Sequence, residues 1–193
     1  MQASMYDTLE EVRTDIAARL TEAARDRRVP MHTPVVVTGD ANARVMVLRD
    51  FDPARWTLRF HTDARAPKVA AIDANPRMTV IAYDQPGKVQ LRLHASGRIE
   101  HEGPAVDAAW ADSTNFARRC YLGEAPGATA DRPLSGLPEH LEGVEPDDEE
   151  IRRARENFAI LLVEVAEIDW FSLAHTGHRR ALLTPTGGGW IAP

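Results

Sequence analysis

The longest strictly alternating stretch, Val89 to Glu100, does most to limit the folds open to this chain. Val89, Leu91, Leu93, Ala95 and Ile99 fall on one face, and Gln90, Arg92, His94, Ser96 and Arg98 on the other. A period of two kept up this long fits an extended strand with one buried side, not a helix. A strand cannot satisfy its backbone alone, and the flanking sequence supplies partners. Val35 to Val37 is a short apolar run ending at Thr38-Gly39-Asp40. Arg44 to Phe51 alternates, with Val45 and Val47 on one side and Arg44, Met46 and Leu48 on the other. Asp52-Pro53 breaks it, and Trp56 to Thr62 resumes as the second arm of a hairpin.

Further along, Met78 to Tyr83 reads as a strand before the Asp84-Gln85-Pro86-Gly87 turn. Phe158 to Val165 is the most apolar strand and is expected at the sheet centre. His175 to Leu183 and Gly187 to Ala192 make a closing hairpin, with Gly187-Gly188-Gly189 as its turn. Roughly seven strands, joined mostly by short turns, point to an α+β, mainly β, antiparallel barrel-like domain. Helices do not alternate with the strands, which disfavours a parallel doubly wound sheet.

Helical periodicity is confined to the flanks. Leu9, Val12, Ile16 and Leu20 share a face between Thr8 and Arg27, and Thr8 with Glu11 forms a capping-box pattern. Pro67 to Asn75 is a short helix stopped by Asn75-Pro76. Ala105 to Ala117 reads as helical, Leu122 to Pro146 as a long loop rich in Gly, Pro and acids, and Asp147 to Asn157 as an acid-started helix. The expectation is one domain over 1–193, with an N-terminal helix within 1–30 and a helical and loop insertion at 104–157.

A net charge of -6 argues against nucleic-acid binding, which normally needs a basic excess. No run approaches the ~18 apolar residues of a membrane span. With one cysteine, Cys120, no apolar leader segment and no disulfide framework, a cytoplasmic location is expected. Cys120 itself reads as half-buried and unreactive. The seven histidines show no paired spacing on a helix, so no metal site is expected.

The chemistry gathers between Arg44 and Lys68. Arg44 opens one strand, His61-Thr62 closes the next, and Lys68 lies in the first turn of the following helix. Helix amides, a lysine, an arginine and a hydroxyl can together hold a dianionic phosphate, although spacing alone favours solvated surface cations.

These residues, in this order, resemble the pyridoxamine 5'-phosphate oxidase-like FMN-binding split barrel. The matching pieces are Arg44-Val45-Met46-Val47-Leu48-Arg49, then Phe60-His61-Thr62-Asp63 leading to Lys68, then Asn75-Pro76. Val89-Gln90-Leu91-Arg92 with Gly97 follows, and the end carries Ile168-Asp169-Trp170, His178-Arg179-Arg180 and Trp190. The resemblance implies an antiparallel split β-barrel with flanking helices. It also implies FMN held through phosphate and ribityl chain by Arg44, Val45, Met46, Val47, Leu48, His61, Thr62 and Lys68. Gln90 would reach the flavin, while Trp170 and Arg180 would approach it from the second subunit of a homodimer. Arg180 and His178 are the implied catalytic residues, and Arg49, Arg118 and Tyr121 the implied contacts of a small-molecule substrate. Pro67 stands where the family has a basic residue; either that phosphate contact is missing or Arg65 supplies it.

The implied activity is FMN-dependent oxidation of a small amine or alcohol with dioxygen as acceptor. A flavin-dependent reductase on the same barrel, or a non-catalytic flavin- or haem-binding protein, are the alternatives.

Overall fold

The computed structural model describes residues 6–193. Among the described residues, nine strands, β1 (Val35–Thr38), β2 (Ala43–Val45), β3 (Leu48–Asp52), β4 (Thr57–Asp63), β5 (Arg77–Asp84), β6 (Val89–Glu100), β7 (Phe158–Ser172), β8 (Arg179–Thr184) and β9 (Gly187–Ile191), form one sheet. Its order is β2-β1-β5-β6-β7-β4-β3, with β8 pairing β7 and β9 pairing β8. The ladders β1–β2, β1–β5, β3–β4, β5–β6, β7–β8 and β8–β9 are antiparallel. The helices are α1 (Leu9–Arg25), α2 (Pro67–Ala74), α3 (Pro104–Ala111), α4 (Asn115–Arg118) and α5 (Asp148–Ile151), with short 3-10 turns between them.

The chain divides into two compact units: residues 1–60, 75–98 and 162–193, and residues 61–74 and 99–161. The first holds most of the sheet and α1. Thr8 caps α1 through Glu11, whose carboxylate returns a bond to the Thr8 N–H, and Val12, Ile16, Leu20 and Ala23 are buried. Arg13 fastens α1 to the β8–β9 hairpin through the carbonyls of Thr184 (2.6 Å) and Gly187. Its guanidinium also lies 5.2 Å over the Trp56 ring. On β6, Val89, Leu91 and Leu93 are buried while Gln90, Arg92 and His94 reach outward, as the alternation requires.

The second unit packs around Phe158. The rings of His61, Trp110 and Tyr121 lie 5.0, 5.2 and 5.2 Å from it. Asn157 ties its ends, accepting from Ala64 N–H and donating to the Tyr121 carbonyl (2.8 and 2.9 Å). Among the described residues, no helix is long and apolar enough to cross a membrane.

Five local expectations are corrected. The run from Arg44 to Phe51 is two strands: β2 pairs with β1 and β3 with β4, and the chain changes partner at Met46-Val47. Alternation survives the change, since Met46 and Leu48 are buried and Val45 is 65% exposed, so period alone could not reveal it. The glycine run is strand, with the turn at Pro185-Thr186. A Cβ at Gly188 would meet the Leu182 carbonyl oxygen at 2.7 Å, so a glycine at that position allows close approach. The helix over 105–117 breaks at Asp112–Thr114, where Thr114 caps α4, and the acid-started helix turns 3-10 after Ile151. Cys120 is exposed, its Sγ donating to the Ala117 carbonyl.

Leu93 is fully buried and Leu134 is 55% exposed. Leu93→Ala is expected to lower unfolding free energy by about 2–5 kcal/mol, and Leu134→Ala to leave it nearly unchanged. Denaturant titration of the two variants checks this.

Candidate functional site

Within the first unit, two arginines converge on one buried carboxylate. Residues 90 and 92 share the outer face of β6, and residues 169 and 171 share a face of β7, because each pair is two apart on a strand. Register places Phe171 opposite Arg180 on β8. Arg180 grips Asp169 with Nε (2.9 Å) and Nη2 (2.7 Å), and Arg92 Nη2 donates to the same carboxylate. Asp169 is 2% exposed, whereas the Arg92 and Arg180 side chains are 41% and 28% exposed. The guanidinium of Arg180 lies 5.6 Å from the Phe171 ring, and His178 meets that ring edge-on at 5.5 Å. Gln90, Arg92, Asp169, Phe171, His178 and Arg180 thus form one polar surface with an aromatic floor.

The Arg180 hydrogen bonds hold the Asp169 carboxyl below the ordinary aspartate range; burial opposes this, and Arg92 adds to the lowering. Two guanidiniums against one carboxylate leave the cluster one positive charge in excess. Its outward donors suit an anionic or electron-rich ligand edge.

Trp170, the aromatic expected to reach the flavin, points to the opposite side of β7. It is fully buried against Tyr6 (4.9 Å) and Trp190 (6.4 Å). The aromatic that shares a face with Arg180 is Phe171. Sequence reasoning missed it, together with Arg92 and Asp169. Their signal was the parity of strand positions: 169 and 171 alternate with 170, and 90 and 92 stand together.

The remaining residues are placed as follows. In the first unit, Arg44 Nη1 donates to Thr38 Oγ1 (3.1 Å) beside the Asp40 turn. Arg49 is exposed and lines a cleft of about 810 Å³ with Arg25, Arg27, Arg28, His32 and Val47. In the second unit, Thr62 is 4% exposed at the end of β4, and half-buried Lys68 is the second residue of α2. Arg65 is committed elsewhere, with Nη2 on Asp63 (2.7 Å) and the Gly123 carbonyl (3.0 Å), so it is not a spare phosphate ligand.

Arg118 and Tyr121 also have structural tasks. Arg118 closes the C-terminal end of α3 through the Trp110 and Ala111 carbonyls and stacks 4.7 Å over the Trp110 ring, while Tyr121 belongs to the Phe158 cluster. A cleft of about 1250 Å³ in this unit is lined by Phe116, Arg119, Cys120 and the 123–137 loop.

An antiparallel sheet whose second strand changes partner, followed by a hairpin, a short helix and a long polar-faced strand, has known counterparts. Residues 16–101 match the family described as pyridoxamine 5'-phosphate oxidase, FMN-binding domain. The fold is that of the pyridoxamine 5'-phosphate oxidase-like split barrel. A pyridoxamine 5'-phosphate oxidase-related, FMN binding protein from Nostoc punctiforme PCC 73102 superposes with a TM-score of 0.74 at 21% identity, covering 96% of this chain and 100% of that one. PhzG from Burkholderia lata 383, in complex with tetrahydrophenazine-1-carboxylic acid, gives 0.62 at 15% identity, with 96% and 92% coverage. A protein related to general stress protein 26, of the pyridoxinephosphate oxidase family, from Clostridium acetobutylicum gives 0.57 at 13% identity, with 92% and 96% coverage. No curated protein matches the sequence. In this split barrel, the matched segment contains Arg44 to Leu48, His61, Thr62, Lys68, Gln90 and Arg92.

Because the folded Asp169 carboxyl lies below its unfolded value, its contribution to stability is fully present above that unfolded value, about pH 4. It is lost as pH falls through the lowered folded value. Asp169→Asn should therefore flatten the acid limb of the stability–pH curve below about pH 4, measured by thermal melts across pH. An unchanged limb would deny the carboxylate its charge.

Proposed function

We propose that this split barrel is an FMN-dependent oxidoreductase acting on a small amine or alcohol, with dioxygen as acceptor. The observation that carries the reading is the Arg92–Asp169–Arg180 cluster: two cations fixed by one buried carboxylate, of which Arg92 lies on the strand that the FMN-binding match includes. Such a donor set fits the electron-rich pyrimidine edge of a flavin. When bound, FMN would supply the redox chemistry, taking two reducing equivalents from a substrate C–H bond and passing them to dioxygen.

The chain's own residues bind, orient and hold charge. In this reading Thr62 and Lys68 take the phosphate, with His61 beside them. Arg44 to Leu48 take the phosphate and ribityl chain. Gln90 reaches the ring, and Arg180 holds positive charge against it, favouring the anionic reduced form. His178, edge-on to Phe171, would exchange a substrate proton. Arg49, among the cations of its cleft, favours a substrate carrying a carboxylate or phosphate. Arg118 and Tyr121, the other substrate contacts that the resemblance implies, pack against Trp110 and Phe158, and this reading does not rely on them.

A homodimer belongs to the same reading. Register aligns Val45, Val35, Ile81 and Arg92 in one row across β2, β1, β5 and β6, with Tyr83 beside it. Val45, Ile81 and Tyr83 are 65%, 36% and 44% exposed. An apolar row leading to a cationic cluster is suited to cover by a second copy of the chain.

Protein purified from its expression host should be yellow, with absorbance near ~450 nm that is released as FMN on denaturation. Arg44→Ala with Lys68→Ala should abolish FMN retention; unchanged flavin stoichiometry would refute the assignment. Pyridoxal phosphate formation from pyridoxamine phosphate under dioxygen tests the narrower substrate. Val45→Asp with Tyr83→Asp should convert a dimer to monomer in light scattering, and an unaltered mass would remove the proposed interface.

A further inference from the structure

The resemblance assigns Arg180 but says nothing of the carboxylate behind it. We propose that Asp169 is a positioning residue that locks Arg92 and Arg180 into one clamp for the pyrimidine edge of the flavin. The inference rests on the flavin reading and adds two residues, Asp169 and Arg92, to the machinery.

A carboxylate this deeply buried needs compensation, and the bidentate grip of Arg180 already sets one full positive charge against it. The second guanidinium is therefore more than a structural pair requires. It leaves net positive charge where like charges would otherwise separate. The donors not used on Asp169 complete the case. No hydrogen bond from Nη1 of either arginine occurs among the described residues, and Arg92 Nε is buried without a partner. Both planar forks are held before a ligand arrives, so little side-chain freedom remains to be lost on binding. Phe171 lies under Arg180 and gives the clamp an apolar floor on the same face.

The clamp reads as a unit: removing Asp169 frees both arginines to repel each other and scatter. Its contribution should therefore be non-additive with that of Arg92. A carboxylate serving only the fold would move melting temperature and leave the ligand's affinity alone.

The test is titration of apo-protein with FMN, followed by flavin fluorescence, for wild type, Asp169→Asn, Asp169→Glu, Arg92→Gln and the double variant Asp169→Asn/Arg92→Gln. Melting temperature is measured for each. Asp169→Asn should weaken FMN binding about tenfold, and Asp169→Glu should recover most of it. Arg92→Gln should weaken binding in the wild-type background but add little to Asp169→Asn. Wild-type affinity in Asp169→Asn, or losses that simply add, would overturn the clamp while leaving the flavin reading intact. A wild-type protein with no affinity for FMN would overturn both. If Asp169→Asn does not fold, Arg92→Gln alone decides, because it keeps the Asp169–Arg180 pair: unchanged affinity in that variant sinks the proposal.

Discussion

Burial of strand β7 is the constraint on which the sheet depends. Its fifteen residues lie between β6 and β4 and also pair with β8, so its backbone groups are satisfied only when strands from distant parts of the sequence are in place. Ile168, Trp170 and Val163 are buried on it with almost no exposure. Parity then does the rest. Once Trp170 turns inward against Tyr6 and Trp190, Asp169 and Phe171 must face the other way, toward Arg92 and Arg180.

That consequence joins packing to chemistry. A chain with net charge -6 has no general affinity for anions. It can still hold positive charge locally if a buried acid fixes two arginines from neighbouring strands. The cost of burying Asp169 is offset by hydrogen bonds from both sides, and the surplus cation faces outward. The cleft around Arg49 has the same sign by a different route: cations at the C-terminal end of α1, where the helix dipole favours them, stand near one from β3.

Much of the fold was legible because alternation is a local property. The twelve-residue β6 was bounded correctly by its pattern alone, and Thr8 with Glu11 marked the start of α1. The partner change at Met46-Val47 was not legible, since inward and outward positions keep their order through it. The glycines of β9 looked like a turn because nothing local shows that the Leu182 carbonyl approaches within 2.7 Å of where a side chain would start. Arg118 and Tyr121 carry the right chemistry for a substrate site. Only the tertiary structure shows that the Arg118 guanidinium is engaged at the end of α3 and that the Tyr121 ring packs against Phe158.

The sequence by itself determined which segments are strands, which faces they bury, and where along the chain the cations lie, because period and residue type act over a few neighbours. Tertiary structure decided which of those cations are spoken for. Arg65, Arg118 and Arg180 look alike on the page. One is spent on Asp63 and a loop carbonyl, one on a helix end, and one is shared with Arg92 across Asp169. Hydrogen bonds between residues as far apart as Arg92 and Asp169 depend on strand register, and register is set only when the whole sheet closes its backbone bonds.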